Sequence, residues 1–262
     1  MPKIGKIFVY PIKSLDGVAV NQATILPGGA LQHDRELAIV DEKGKIVNAK
    51  RTAKIHLVRS RFDLQNRTVS LQVIGTKKQF FQLDEERKAI ESWFSDFFGF
   101  QVKLQENLFT GFPDDLNSTG PTVVTTATLT EVASWFDESV DQIRRRFRAN
   151  IEIDGTPPFW EDQLFAEKGD ILPFHVGDVL FEGTYPCQRC PVPTRDAFTG
   201  EAYPNFQKIF VQKRQKTLPE WANLSQFNHF FRLTVNTQIP ASEAGKILKL
   251  GDAVTTIKAD FP

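Results

Sequence analysis

Turn-forming residues punctuate the first eighty residues so closely that only short strands fit between them. Ile4 to Tyr10 is an apolar-rich strand, and Val18 to Leu26 is another, stopped by Pro27-Gly28-Gly29. Glu36 to Asp41 and Lys45 to Asn48 flank Glu42-Lys43-Gly44. Leu57 to Leu64 and Thr68 to Ile74 flank Gln65-Asn66-Arg67. Both sets read as hairpins. Phe80 to Leu83 is a further short strand, as are Gln101 to Glu106, Val123-Val124 and Asn150 to Ile153. The last third repeats the pattern with Ile171 to His175, Asp178 to Glu182, Phe230 to Asn236 and Ala253 to Lys258. Gly177-Asp178 and Gly251-Asp252 supply turns before two of these.

Helices are few. Asp84 is placed to cap one on which Ile90, Trp93, Phe94, Phe97 and Phe98 recur at helical spacing and which Gly99 ends. Thr128-Leu129-Thr130-Glu131 fits a capping box that starts a second, and Asp141 to Phe147 is a shorter third. The expected fold is therefore α+β, mostly β, with barrel-like sheets and a few peripheral helices. Leu108 to Gly120 is rich in Gly, Pro, Asp and Asn, and it predicts a boundary between domains spanning 1–115 and 116–262.

Charge narrows the function. Lys+Arg and Asp+Glu each total 32 in 262 residues, which argues against a nucleic-acid partner, since polyanion binding needs a basic excess. No apolar run is long enough to span a bilayer, and Met1-Pro2-Lys3-Ile4-Gly5-Lys6 lacks the apolar region of a signal peptide. The expectation is a cytoplasmic, reduced protein without a membrane partner. Two cysteines in a chain of this size make no disulfide framework.

Those two cysteines, Cys187 and Cys190, sit in Thr184-Tyr185-Pro186-Cys187-Gln188-Arg189-Cys190-Pro191-Val192-Pro193-Thr194-Arg195-Asp196. Four readings compete. A zinc knuckle needs four ligands, yet there is no second cysteine pair, and His33, His56, His175 and His229 have no paired spacing. A thioredoxin-type dithiol should open a helix, and Pro191-Val192-Pro193 suits one poorly. Ordinary buried cysteines are the plain alternative. The fourth reading is one thiolate on a transition metal that a cofactor mainly holds, with basic groups elsewhere for the cofactor's anionic parts. Lys13 and Ser14, at the end of the first strand, are suited to a phosphate. Arg144-Arg145-Arg146-Phe147-Arg148-Ala149-Asn150 enters a strand, which makes Arg148 and Asn150 better candidates than Arg144 or Arg145.

At these residues the sequence resembles the MOSC family, the molybdenum cofactor sulfurase C-terminal-type domain. It is nearest the branch with an extra N-terminal β-barrel domain, which includes the mitochondrial amidoxime reducing component and its bacterial relatives. Motifs of the family occur in order along the chain. Tyr10-Pro11-Ile12-Lys13-Ser14 opens the set, and His33-Asp34-Arg35 with Val40-Asp41-Glu42-Lys43-Gly44 comes next. Arg146-Phe147-Arg148-Ala149-Asn150-Ile151 carries Ala149 where the family usually has Pro, and Glu161-Asp162 lies beyond it. Cys187-Gln188-Arg189-Cys190 precedes Thr199-Gly200, and Gly251-Asp252-Ala253-Val254 closes the set. Pro191, Pro193 and Arg195 depart from the family's pattern and point to a different pocket rim.

The resemblance implies a molybdenum cofactor, a molybdenum held by a molybdopterin dithiolene and one protein cysteine. By position that ligand is Cys190, with Cys187 in support. Lys13, Ser14 and Arg35 resemble residues that contact the pterin and its phosphate, and Arg148 and Asn150 resemble a second contact set. Arg189 joins them from between the cysteines. Guanidinium forks suit phosphate and amides suit pterin edges. The implied activity is reduction of a small N-hydroxylated or other N–O or S–O substrate, with protons delivered by Glu131 or Asp196. Electrons come from a separate donor protein, ferredoxin- or cytochrome b5-like, because no cysteines remain for an iron–sulfur domain. The other function implied is a carrier of cofactor or of persulfide sulfur for a cofactor-sulfurating enzyme. Pyridoxal phosphate then belongs to that desulfurase partner, since no Schiff-base lysine motif is recognisable here.

Overall fold

The computed structural model describes residues 1–256. Among these residues fifteen strands and four α-helices form, in a mixed α+β fold that is mostly β. The strands are β1 (Lys3–Val9), β2 (Val18–Val20), β3 (Gln22–Thr24), β4 (Leu37–Asp41), β5 (Val58–Asp63), β6 (Thr68–Val73), β7 (Gln79–Gln82), β8 (Val102–Glu106), β9 (Val123–Thr125), β10 (Ile151–Asp154), β11 (Leu172–Val176), β12 (Val179–Gln188), β13 (Arg232–Gln238), β14 (Ile247–Lys249) and β15 (Val254–Thr256). The helices are α1 (Arg87–Phe98), α2 (Thr126–Phe136), α3 (Val140–Phe147) and α4 (Phe206–Lys216).

One sheet organises the molecule. Its order is β15-β11-β12-β13-β9-β10-β1-β2, with the β9–β10 pair parallel and the others antiparallel. The first strand thus pairs with a strand from the middle of the chain, Ile7 opposite Ile151. Smaller sheets join β4 to β8, β3 to β14, and β5 to β6 to β7. Three apolar clusters fill the interior. Ile7, Ile151, Phe174, Phe181 and Val235 pack around the large sheet. Ile39, Leu71, Phe94 and Leu104 pack among the N-terminal sheets and α1. Phe136, Phe147, Phe206 and Phe210 join α2, α3 and α4 to Val124 and Leu233. Stacking of Phe136 on Phe206, with centroids 4.1 Å apart, ties α2 to α4.

Several sequence expectations shift. The run Val18 to Leu26 is two strands that join different sheets, so it breaks between them. Lys45 to Asn48 forms only a bridge, Val40 to Ile46, beyond the Gly44 turn. α1 begins at Arg87 rather than beside Asp84, whose carboxylate is taken by Arg67 at 2.9 and 3.0 Å. Gly99 caps α1 in the left-handed region at φ 82°, as its place predicts. α2 starts at Thr126 with Thr125 as its cap, and the capping box belongs instead to α3, between Ser139 and Gln142. The predicted Ala253–Lys258 strand is seen as β15, and residues 257–258 lie outside the described residues. α4 had no counterpart in the sequence expectations.

Candidate cofactor site

The loops after β1, β4, α3 and β12 converge on one cavity of about 640 Å³. Backbone hydrogen bonds set its walls. Lys13 N donates to Leu37 O at 2.8 Å, and Arg35 N donates to Tyr10 O at 2.8 Å, which locks the first two motif segments together. Asn150 N donates to Thr122 O at 3.1 Å, and Arg189 N to Phe231 O at 3.0 Å. Three cavity residues that are not glycine hold left-handed backbones, Ser14 at φ 72°, Arg35 at 51° and Arg148 at 54°. Such conformations are costly and cluster where a side chain must be aimed.

The lining is strongly cationic. Thirteen Lys and Arg residues face it against five carboxylates, although the whole chain balances 32 against 32. Tyr10 holds two of the cations. The Arg148 guanidinium lies 4.1 Å from its ring centroid and that of Arg35 lies 5.1 Å away. Tyr10 Oη donates to Ala149 O at 3.2 Å, and burial pushes its pKa up to about 12. Arg35 also donates to Asp34, and Arg148 Nη2 to Leu15 O at 2.6 Å. Arg35 Nε and Nη2 and Arg148 Nε and Nη1 have no protein acceptor among the described residues.

Lys13 is buried and donates to Phe112 O and Asp114 Oδ1, both at 2.7 Å. Burial lowers its pKa, and Asp114 opposes that. Desolvation pushes the Asp114 carboxyl up, but Lys13, Arg35 and Lys50 overcome it and hold the group well below the usual carboxylate range. Asp114 comes from the polar loop read in the sequence as a domain boundary, and that loop forms a wall of the cavity. Asn150 is only 1% exposed, and its amide serves the fold. Its Oδ1 accepts from Thr122 N at 3.2 Å, while Nδ2 donates to Phe8 O at 3.1 Å. Ser14 Oγ accepts from Ala49 N at 3.3 Å.

Both cysteines line the cavity as half-buried free thiols. Arg189 Nη1 donates to Cys187 Sγ at 3.3 Å, and its Nη2 donates to Phe147 O at 2.8 Å. Prolines shape the chain beyond Cys190, where Val192–Thr194 is a single 3₁₀ turn with Pro193 buried. Arg146 pins that turn by donating to Pro193 O at 3.2 Å and to Arg195 O. The cavity also gathers His56, Arg59 and Arg232, which no sequence motif marked.

Two expected residues lie apart from the cavity lining. Glu131 is on α2 and accepts from Trp135 Nε1 at 2.9 Å. Asp196 accepts from Phe198 N and Thr199 N, both at 2.8 Å, and so closes the turn after the cysteines. Glu161 and Asp162 form a separate buried cluster. Thr125 and Thr128 donate to Glu161 Oε2 at 3.0 and 2.8 Å, and Arg214 pairs with Asp162. Among the described residues no group of three His, Cys, Asp or Glu side chains is placed to hold a metal ion. No helix there is long and apolar enough to cross a membrane.

The sequence is 28% identical over 235 residues to the molybdenum cofactor sulfurase of Drosophila mojavensis, covering 78% of this chain and 29% of that protein. It is 24% identical over 263 residues to the molybdenum cofactor sulfurase of Homo sapiens, covering 81% and 29%. The chain therefore spans under a third of the length of these curated relatives. A crystal structure of the YUAD protein from Bacillus subtilis aligns over 97% of this chain and 94% of that one, with a TM-score of 0.40 at 12% identity. The MOSC N-terminal beta barrel domain matches residues 1–102, and the MOSC domain matches residues 122–255, more than half of the chain. The chain belongs to the MOSC domain family.

Proposed function

We propose that this cavity holds a molybdenum cofactor and that the protein is an oxidoreductase for N-hydroxylated or other N–O or S–O substrates, supplied with electrons by a separate donor protein. The observation that carries the reading is the meeting of a free cysteine pair with a cationic cavity in a chain of zero formal net charge. The residues present fit such a group. Arg189 and Arg232 line the cavity, and their buried Nε atoms have no hydrogen-bond partner among the described residues. Arg35 and Arg148 each keep free donors beside Tyr10, the arrangement a phosphate oxyanion needs. A soft metal takes thiolate, and one protein sulfur suffices when a dithiolene supplies the others.

On this reading Cys190 is the protein ligand, and Arg189 holds Cys187 in place beside it. Lys13, Arg35 and Arg148 bind the phosphate end, with Tyr10 as the plank between two guanidiniums. Ser14 and Asn150 fix the backbone from which those side chains project. When bound, the cofactor supplies two-electron oxygen-atom chemistry, and the protein supplies binding, orientation and electrostatics. Neither Glu131 nor Asp196 lines the cavity, so protons arrive by solvent or by another residue.

A second reading is favoured by the relatives, which are named molybdenum cofactor sulfurases and are more than three times longer than the aligned region. Here the chain carries cofactor, or persulfide on Cys190 or Cys187, for a pyridoxal-phosphate-dependent partner. The two separate on one experiment. Cofactor-loaded protein is given benzamidoxime and an artificial electron donor. Turnover that vanishes in Cys190→Ser supports the oxidoreductase. Absence of turnover with a persulfide adduct by mass spectrometry supports the carrier.

A further inference from the structure

The loop after the cysteines closes on the N-terminal half of the chain at a place the proposed cofactor contacts leave unused. Gly200, at φ 74°, approaches so closely that a β-carbon there would lie 2.8 Å from Ala53 O and 3.3 Å from His56 Cβ. Arg59 spans this junction. Its Nη2 donates to His56 O at 2.6 Å and to Ala197 O at 3.2 Å, and its Nη1 holds Asp16 at 3.1 Å. Arg195 Nη1 donates to Gly200 O at 3.0 Å. His56, Arg59 and Arg195 all line the cavity.

Two polar atoms at the junction are buried and have no hydrogen-bond partner among the described residues, His56 Nε2 and Arg59 Nε, although the Ala197 peptide lies close to the His56 ring. Buried polar atoms are almost always partnered, so two orphans on residues that line one cavity mark a place for a ligand. The field there is positive. Arg148, Arg59 and Arg195 all face His56, and the nearby carboxylate of Asp16 is shared by Arg59 and Arg145. Burial pushes the imidazole pKa down, the three guanidiniums push it further, and only the Ala197 peptide opposes them. An anion placed among these groups supplies what each lacks: an acceptor for Arg59 Nε, a counter-charge for Arg195, and a reason for His56 to take a proton.

We propose that His56, Arg59 and Arg195 form an oxyanion subsite, distinct from the Arg35–Arg148 pair, that takes the carboxylate or phosphate-type group of a small molecule. Binding there draws a proton onto His56, so affinity rises as pH falls. The subsite itself does not depend on cofactor chemistry. Its consequence for substrate class, acids in preference to neutral compounds, rests on the oxidoreductase reading of the cavity.

The test is a histidine ¹³C NMR titration of the full chain, with the His56 resonance assigned through His56→Gln. Benzoate and phenyl phosphate are the probes. Saturating probe is expected to raise the His56 pKa by about one pH unit, equivalent to about tenfold tighter binding to the protonated form. The shift is expected to disappear in Arg59→Gln and Arg195→Gln and to persist in Arg35→Gln. Arg59 also anchors Asp16, so Arg195→Gln decides the matter if Arg59→Gln does not fold. A response to benzoate alone assigns the subsite to carboxylates, and a response to phenyl phosphate alone assigns it to phosphate groups. A wild-type titration that neither probe moves overturns the proposal, as does equal loss in Arg35→Gln. Molybdenum content and amidoxime turnover are separate readouts, so failure here is distinguishable from failure of the functional reading.

Discussion

Arg146 ties the cysteine loop to α3, and its replacement tests whether the site is held from behind. The side chain is 2% exposed. Nε donates to Glu138 at 2.8 Å, Nη2 reaches the other carboxylate oxygen, and Nη1 serves the carbonyls of Pro193 and Arg195. Arg146→Met keeps most of the volume and removes every one of these bonds. Removing one member of a buried ion pair costs about 3–5 kcal/mol, because the stranded charge stays buried. At roughly 2–4 °C per kcal/mol for a large domain, the melting temperature should fall by about 10 °C. Arg145→Gln is the control. That side chain is 47% exposed and lies 3.5 Å from Asp16, so its loss should cost no more than about 0.5 kcal/mol. Urea unfolding gives the stabilities, and alkylation of Cys190 by iodoacetamide reports the loop. Arg146→Met should be alkylated several-fold faster. Equal stability of the two variants, or an unchanged alkylation rate, refutes the anchoring role.

Glu161→Gln is expected to flatten the pH dependence of stability. Burial and then the neighbouring Asp162 raise the Glu161 pKa from 4.5 to about 7, so its contribution is complete below about pH 4.5 and is lost as pH rises through 7. Ionising it destabilises the fold above pH 7, and urea titrations should find the Gln variant more stable at pH 8 and equal at pH 5. Parallel pH profiles for both proteins contradict this. Tyr10→Phe gives up one hydrogen bond, about 1 kcal/mol, and should keep its cofactor. Tyr10→Leu loses the ring on which Arg35 and Arg148 rest and should lose pterin on desalting, measured by fluorescence after oxidation. Retention of pterin by Tyr10→Leu removes the plank from the account.

How much the sequence revealed depended on how local the cause was. Gly99 ends α1 because a left-handed residue is needed there, and that need is visible in sequence. Asp84 is equally good as a cap on paper, yet Arg67 from the turn between β5 and β6 claims it. Thr128 looks like the start of a capping box, but its hydroxyl is spent on Glu161 from a distant turn, and the helix begins earlier. α4 was hidden because its buried side, Phe206, Phe210 and Arg214, includes a charge whose partner Asp162 lies far along the chain. At the site, Lys13, Arg35, Arg148 and both cysteines stand out because the motifs are contiguous. His56, Arg59 and Asp114 carry no local mark, and only the closing of loops onto one another gives them a cavity.

The central claim is that a cofactor occupies this cavity on Cys190. The direct measurement is molybdenum and pterin content of the full chain, produced in cells with active cofactor synthesis, for wild type and Cys190→Ser. The account predicts roughly equimolar molybdenum and pterin in the wild type, with molybdenum lost from the variant while its fold is kept. Wild-type protein that carries neither contradicts it.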